Sequence, residues 1–270
     1  MLQTFYMVHN PYYYLGRYIT VEGFFLHSVG VGQPDPWVFI RQFNAPNYER
    51  ACVHGFIGAD ETIITMPCLV TPGRAMRAPH SGNSWSNNRY LGFEMTEPKG
   101  IRYTGNGAEF VITDKTGATA HAWATIRRAV DLFAQLCVFH RKDPLADGVI
   151  LSHAEGSRRG IASAHADPEH LWRGLGMGYS MDQFRRDVAA AVSKLDTGKE
   201  EPDMTEQEVI DIIQKQKTVY ETIENVPEWA KPTIRKLMGK GILQGDGSGL
   251  GLTYDLTRVL VINDRAGLYD

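Results

Sequence analysis

The sequence predicts an α/β domain followed by a small helical module, and three observations carry that prediction. Apolar, strand-like runs alternate with helix-like stretches as far as Leu195. Between Asp196 and Met204 the chain turns rich in Gly, Lys, Glu and Pro, the composition of an exposed linker. With 270 residues, 43% hydrophobic and 22% charged, it can bury one medium core and leave a small remainder.

The elements follow in order. The apolar run from Tyr18 ends in Phe24-Phe25-Leu26-His27, as a buried strand does. Pro36-Trp37-Val38-Phe39-Ile40 opens a helix, with proline in its first turn. Ala51 to Ile57 and Thr62 to Cys68 read as a hairpin across the polar turn Gly58-Ala59-Asp60-Glu61. Pro72 to Asn88 is a loop rich in Gly, Ser and Asn, and Arg89 to Met95 is again strand-like. Thr119 to His140 puts Ala122, Ile126, Ala129, Phe133 and Cys137 on one helical face, which should cover the sheet. Val149-Ile150-Leu151 is a short strand, and Ser180 with Gln183 forms a capping box for a helix carrying Phe184, Val188, Val192 and Leu195. These readings divide the chain into a domain at 1–196, a linker at 197–208 and a module at 209–270. In the second part, Thr205 and Glu208 cap a helix bearing Val209, Ile212, Ile213 and Val219; Pro227 to Lys240 and Asp255 to Ala266 supply two more. So small an all-α core supports itself weakly unless it docks or pairs.

Several partner classes drop out. A net charge of -3 leaves no basic face for nucleic acid. Met1-Leu2-Gln3-Thr4-Phe5-Tyr6 shows no basic stretch followed by an apolar run, so neither a signal peptide nor a membrane span is expected. Cys52, Cys68 and Cys137 fit neither a CxxC zinc pattern nor a disulfide framework and read as buried thiols.

Two histidines end apolar strands: His27 after Phe24-Phe25-Leu26, and His153 after Val149-Ile150-Leu151-Ser152. Asp167 lies fourteen residues beyond the second, in Ser163-Ala164-His165-Ala166-Asp167-Pro168. Two imidazoles and a carboxylate suit a catalytic zinc site, where three protein ligands leave one position open. The same residues also read as satisfied strand-end histidines, with Asp167 capping the next helix. Spacing alone leaves both readings open.

Four runs in fixed order carry a resemblance: Phe25-Leu26-His27-Ser28, Cys52-Val53-His54-Gly55-Phe56-Ile57-Gly58, Leu91-Gly92-Phe93-Glu94, and Ser152-His153-Ala154-Glu155-Gly156 through His165-Ala166-Asp167. From about Tyr14 to Leu195 the chain resembles the zinc N-acetylmuramoyl-L-alanine amidases, which include phage-lysozyme-type amidases and peptidoglycan recognition proteins, and within them the endolysins of phages that infect Gram-positive bacteria. The resemblance implies a mixed central sheet flanked by helices and a zinc ion held by His27, His153 and Asp167, the last a place where members carry Cys or Asp. It implies cleavage of the amide between N-acetylmuramic acid and L-alanine in bacterial peptidoglycan, with Glu94 managing the proton of the attacking water. His165 falls where members carry a basic residue that steadies the oxyanion, although an exchange of ligand roles between His165 and Asp167 stays open. His54, His80, Trp85 and Asn88 are the expected substrate-binding residues, an aromatic ring beside amides suiting a sugar or peptide. His54 has a second reading as packing on the sheet. One departure stands out: Val53 occupies a place where many members carry tyrosine.

In the module, Trp229-Ala230, Lys240-Gly241-Ile242-Leu243, Gly245-Asp246-Gly247 and Thr257-Arg258 are similar to a single S-layer-homology-type repeat. That implies anchoring to a wall polymer, with pairing to a second copy of the chain as the alternative. The expected setting is a lysin made in the host bacterial cytoplasm that acts on the wall after release. The rival reading is a non-catalytic peptidoglycan-binding protein.

Overall fold

The computed structural model describes residues 2–105, 108–197 and 219–269, and the chain divides into two compact units, Met1–Lys199 and Glu200–Asp270. The first unit runs β1 (Leu2–Thr4), α1 (Pro11–Tyr14), β2 (Tyr18–Thr20), β3 (Gly23–Ser28), α2 (Pro36–Phe43), β4 (Gly55–Ile57), β5 (Thr62–Ile64), β6 (Arg74–Met76) and α3 (Ser84–Asn87). It continues through β7 (Tyr90–Met95), β8 (Ile101–Tyr103), β9 (Phe110–Ile112), α4 (Lys115–His140), β10 (Ile150–Ser152), α5 (His153–Arg158), α6 (Glu169–Gly174) and α7 (Met181–Thr197). Six strands form a mixed sheet in the order β1-β5-β4-β7-β3-β10, with β4–β5 the antiparallel pair. This is the expected architecture of a mixed sheet flanked by helices.

Both sheet faces are covered, which is why β3 reads as an unbroken apolar run rather than an alternation. Side chains still alternate between the faces. Phe24, Leu26, Leu91, Phe93 and Ile150 meet Ala122, Ile126, Ala129 and Phe133 of α4 and Phe184 and Val188 of α7. Phe56 and Ile63 on the other face meet Phe39 and Ile40 of α2, and Phe25, Tyr90 and Leu151 form a smaller cluster beside them. That parity sends Phe25 and His27 away from the α4 core.

The expected hairpin is present but short, Gly55–Ile57 against Thr62–Ile64. The stretch read as a loop at 72–88 contains two elements: β6, which pairs with β2, and α3, capped by Asn83. Ser180 accepts a bond from the Gln183 backbone at 3.2 Å, but the Gln183 amide turns to Asp187 at 2.7 Å, so only half of the expected capping box forms. All three cysteines are free and buried.

In the second unit, Val219–Tyr220 pairs antiparallel with Leu252–Thr253, and helices span Lys231–Gly239 and Tyr254–Arg265. Val226, Ala230, Ile234, Leu252 and Val261 form its core. Two expected helices are present, whereas Val219 lies in a strand. The rest of the helix read from Thr205 lies outside the described residues. No helix among the described residues is long and apolar enough to cross a membrane.

Candidate metal centre

Parallel strands present their carboxyl ends on one edge, and side chains placed there converge. His27 is the penultimate residue of β3, in register with Glu94 on the neighbouring β7, while β10 delivers His153 directly into the first turn of α5. Ser152 caps that turn in a full capping box with Glu155, and Arg185 of α7 grips Glu155 through both carboxylate oxygens, at 2.9 and 3.0 Å. His153 therefore sits on a well-braced helix start.

The third group arrives from the loop before α6. Nδ1 of His27 lies 3.0 Å from Nδ1 of His153 and 3.3 Å from Asp167 Oδ2, and His153 Nδ1 lies 3.6 Å from Asp167 Oδ1. All three residues are buried and are the one group of at least three His, Cys, Asp or Glu residues among those described whose donor atoms converge as a metal site requires. Zinc ligands at about 2.0–2.1 Å in a tetrahedron stand roughly 3.3–3.4 Å from one another, so these spacings match a zinc shell. The donor types fit as well. Two imidazole nitrogens aimed at each other share at most one proton, and a cation between them removes that conflict.

Electrostatics follow the same geometry. Burial opposes charge on His27, but the bond to Asp167 and the charges of Glu94 and Asp167 outweigh it and raise its pKa. Burial also opposes ionisation of Asp167, yet the His27 bond holds its pKa below the ordinary value. His153 is pushed down to about 3 by burial and by the neighbouring His27. Glu94 is raised to about 7, chiefly by burial, and its Oε2 is buried with no hydrogen-bond partner among the described residues. An unpartnered buried carboxylate oxygen beside the three donors is the feature that a bound water or ion would satisfy.

A family model described as N-acetylmuramoyl-L-alanine amidase matches residues 17–170, which include His27, Glu94, His153, His165 and Asp167. The chain belongs to that family. Among solved structures, the Staphylococcus aureus hydrolase AmiA in complex with its ligand aligns at 20% identity with a TM-score of 0.53, covering 75% of this chain and 87% of that one. A mutant endolysin from Bacillus subtilis aligns at 13% identity and a TM-score of 0.46, covering 70% and 98% respectively. PlyL aligns at 13% and 0.48, covering 70% and 96%. A search of curated proteins returns no match.

Around the amidase-family centre, the remaining expected residues separate. The His165 side chain is 61% exposed, with its ring 4.5 Å from that of His153 and its Nδ1 3.9 Å from Asp167 Oδ1. It borders the donor cluster from the solvent side. Trp85 is 44% exposed and stacks under the Arg89 guanidinium at 4.5 Å. The Asn88 oxygen is occupied by Arg77 at 2.7 Å.

Two expected substrate contacts need correction. His54 is fully buried, its Nε2–H donating to the Met76 carbonyl at 2.8 Å while Nδ1 accepts from the Gly92 amide at 3.0 Å. Both nitrogens are spent on backbone, and burial lowers its pKa to about 4, so it straps the sheet and faces no groove. Val53 beside it is likewise buried core. His80 is also buried, lying behind His27 with 2.9 Å between His80 Nδ1 and His27 Nε2.

Sequence reading missed a buried acid. Glu97 accepts from Ser28 Oγ at 2.6 Å, Tyr103 OH at 2.7 Å and the Gly30 amide at 3.1 Å, and so fixes the chain just after His27. The available signal was Glu97 two residues past the apolar β7 run.

Proposed function

We propose that this chain is a zinc-dependent peptidoglycan amidase that cleaves the bond between the lactyl group of N-acetylmuramic acid and L-alanine. The observation that carries the reading is the convergence of His27, His153 and Asp167 at tetrahedral-edge spacing beside an unpartnered Glu94 oxygen. His27, His153 and Asp167 would hold the zinc, which supplies Lewis acidity toward the carbonyl and lowers the pKa of a water to about 7.

The chain's own residues account for the rest. Glu94, as the carboxylate, takes a proton from the attacking water and delivers it to the departing alanine nitrogen, leaving a free amine. His165, bordering the cluster from solvent, donates to the carbonyl oxygen as negative charge develops there. Trp85 offers an exposed aromatic face for sugar or peptide. A retained donor set with a perturbed carboxyl beside it favours an enzyme over a non-catalytic binder.

For the second unit, the reading is attachment to an anionic wall polymer. It has a cleft of about 320 Å³ lined by Trp229, Tyr254, Arg258, Val261, Ile262 and Arg265, joining aromatic faces to two cations.

Digestion of purified walls is the test. New alanine amino groups without new reducing sugars are the expected products. Reducing ends alone would mean a glycosidase and would overturn the assignment.

A further inference from the structure

Both imidazoles of the donor cluster are held from behind, and the two supports meet on one short loop. A carbonyl oxygen can only accept a hydrogen bond, so the contact of His80 Nε2 with the Tyr90 carbonyl at 3.1 Å places the proton of His80 on Nε2. Its Nδ1 is then a lone pair, and the His27 Nε2–H donates to it across 2.9 Å. That leaves His27 Nδ1 facing His153 and Asp167.

The second imidazole follows the same logic. The Ser163 hydroxyl donates to the Ser81 carbonyl at 3.2 Å, so its oxygen accepts from His153 Nε2–H at 3.1 Å and leaves His153 Nδ1 directed inward. His80 and Ser81 are adjacent. Asn87 Oδ1 accepts from both their backbone amides, at 2.9 and 3.0 Å, and from the Ser81 hydroxyl at 2.8 Å. The ring of His80 rests on Gly92 so closely that a Cβ there would lie 2.3 Å from it. Glycine at 92 thus leaves the space this ring needs.

We propose that His80 and Ser163 are positioning residues that fix the tautomer and ring orientation of His27 and His153, presenting both Nδ1 atoms to one metal ion. The proposal rests on the metal reading above and adds the groups that set up the site without touching the ion. Outer partners of ligand histidines lock the ring and raise its basicity, and losing one typically weakens metal binding about 10–100-fold.

Two measurements on the full chain test it. In zinc competition against a chelating dye, His80→Phe should weaken binding by about 10–100-fold, and Ser163→Ala should act in the same direction. His80→Gln should restore most of the affinity, because its carbonyl accepts from His27 while its amide donates to Tyr90. Wild-type zinc affinity in both His80→Phe and Ser163→Ala would overturn the proposal. The second measurement needs no substitution: ¹⁵N spectra of the wild-type histidine rings should show His80 neutral with its proton on Nε2 and His27 retaining an Nε2 proton. A proton on His80 Nδ1 would reverse the chain of donors and overturn the proposal even if the variants fail to fold. A wild type that binds no zinc would sink the metal reading, while the spectrum would still decide whether His80 orients His27.

Discussion

Glu94 combines two properties that pull in opposite directions. As part of β7 it must be ordered with the sheet, yet burial raises its carboxyl from 4.5 to about 7 and leaves one oxygen without a partner among the described residues. In the metal-free protein the folded state therefore binds more protons than the unfolded chain between about 4.5 and 7. Stability falls as pH rises through that window, because the slope follows the protons bound unfolded minus those bound folded. Glu94→Gln removes the burden. The metal-free variant should be more stable than wild type above pH 7, by on the order of 1–3 kcal/mol, with the difference vanishing below the unfolded pKa. Denaturant unfolding at pH 8 and pH 4 checks this, and an equal or lower stability at pH 8 would contradict it. The same variant should lose about 10²–10⁴ in the rate of alanine-amine release while keeping its zinc affinity.

At the scale of elements, the site depends on how α5 begins. Its first residue is His153, and its capping box is held by Arg185 of α7, which also donates to the carbonyl of Ile150, the first residue of β10, at 3.0 Å. Arg185 ties strand, helix start and outer helix together with one planar fork. Arg185→Ala leaves the Glu155 carboxylate without its cation in a mostly buried place and should cost about 2 kcal/mol. For a unit of this size that is roughly 4–8 °C in the thermal midpoint, read by circular dichroism. Arg185→Lys should recover little, since an ammonium cannot reproduce the paired geometry. An unchanged midpoint for Arg185→Ala would show that the box stands without its brace.

The elements also explain what sequence alone made legible. His27, His153 and Glu94 end or nearly end apolar runs, and a polar side chain in such a place is visible as a break in the pattern. His54 and His80 look just as chemical in the sequence. Their different fate is decided by β6 and β7: the Met76 carbonyl and the Gly92 amide consume both ring nitrogens of His54, and the Tyr90 carbonyl directs the tautomer of His80. Three-residue strands such as β2 and β6 are too short to show a period, so neither their pairing nor its consequence is readable in advance. Glu97 was missed for a related reason: its partners Ser28, Gly30 and Tyr103 come from separate segments that meet only in the folded chain.

For the molecule as a whole, the donor cluster ties metal binding to the stability of the first unit. Beyond His170 the sequence has no histidine, and beyond Cys137 no cysteine, so imidazole and thiolate donors are confined to the first unit. The cluster joins β3, the start of α5 and the loop before α6, which are brought together only by folding. An ion bound there stabilises the native state and not the unfolded chain, by about 2.7 kcal/mol when its free concentration is a hundred times its dissociation constant. Stripping the metal with a chelator should therefore lower the thermal midpoint by about 5–10 °C, and adding zinc back should restore it. His153→Ala supplies the control. It removes one donor, so its midpoint should lie near that of the stripped wild type and should respond to neither chelator nor zinc. A wild-type midpoint indifferent to both treatments, or a His153→Ala midpoint that still rises with zinc, would mean that these three side chains are not where the ion binds.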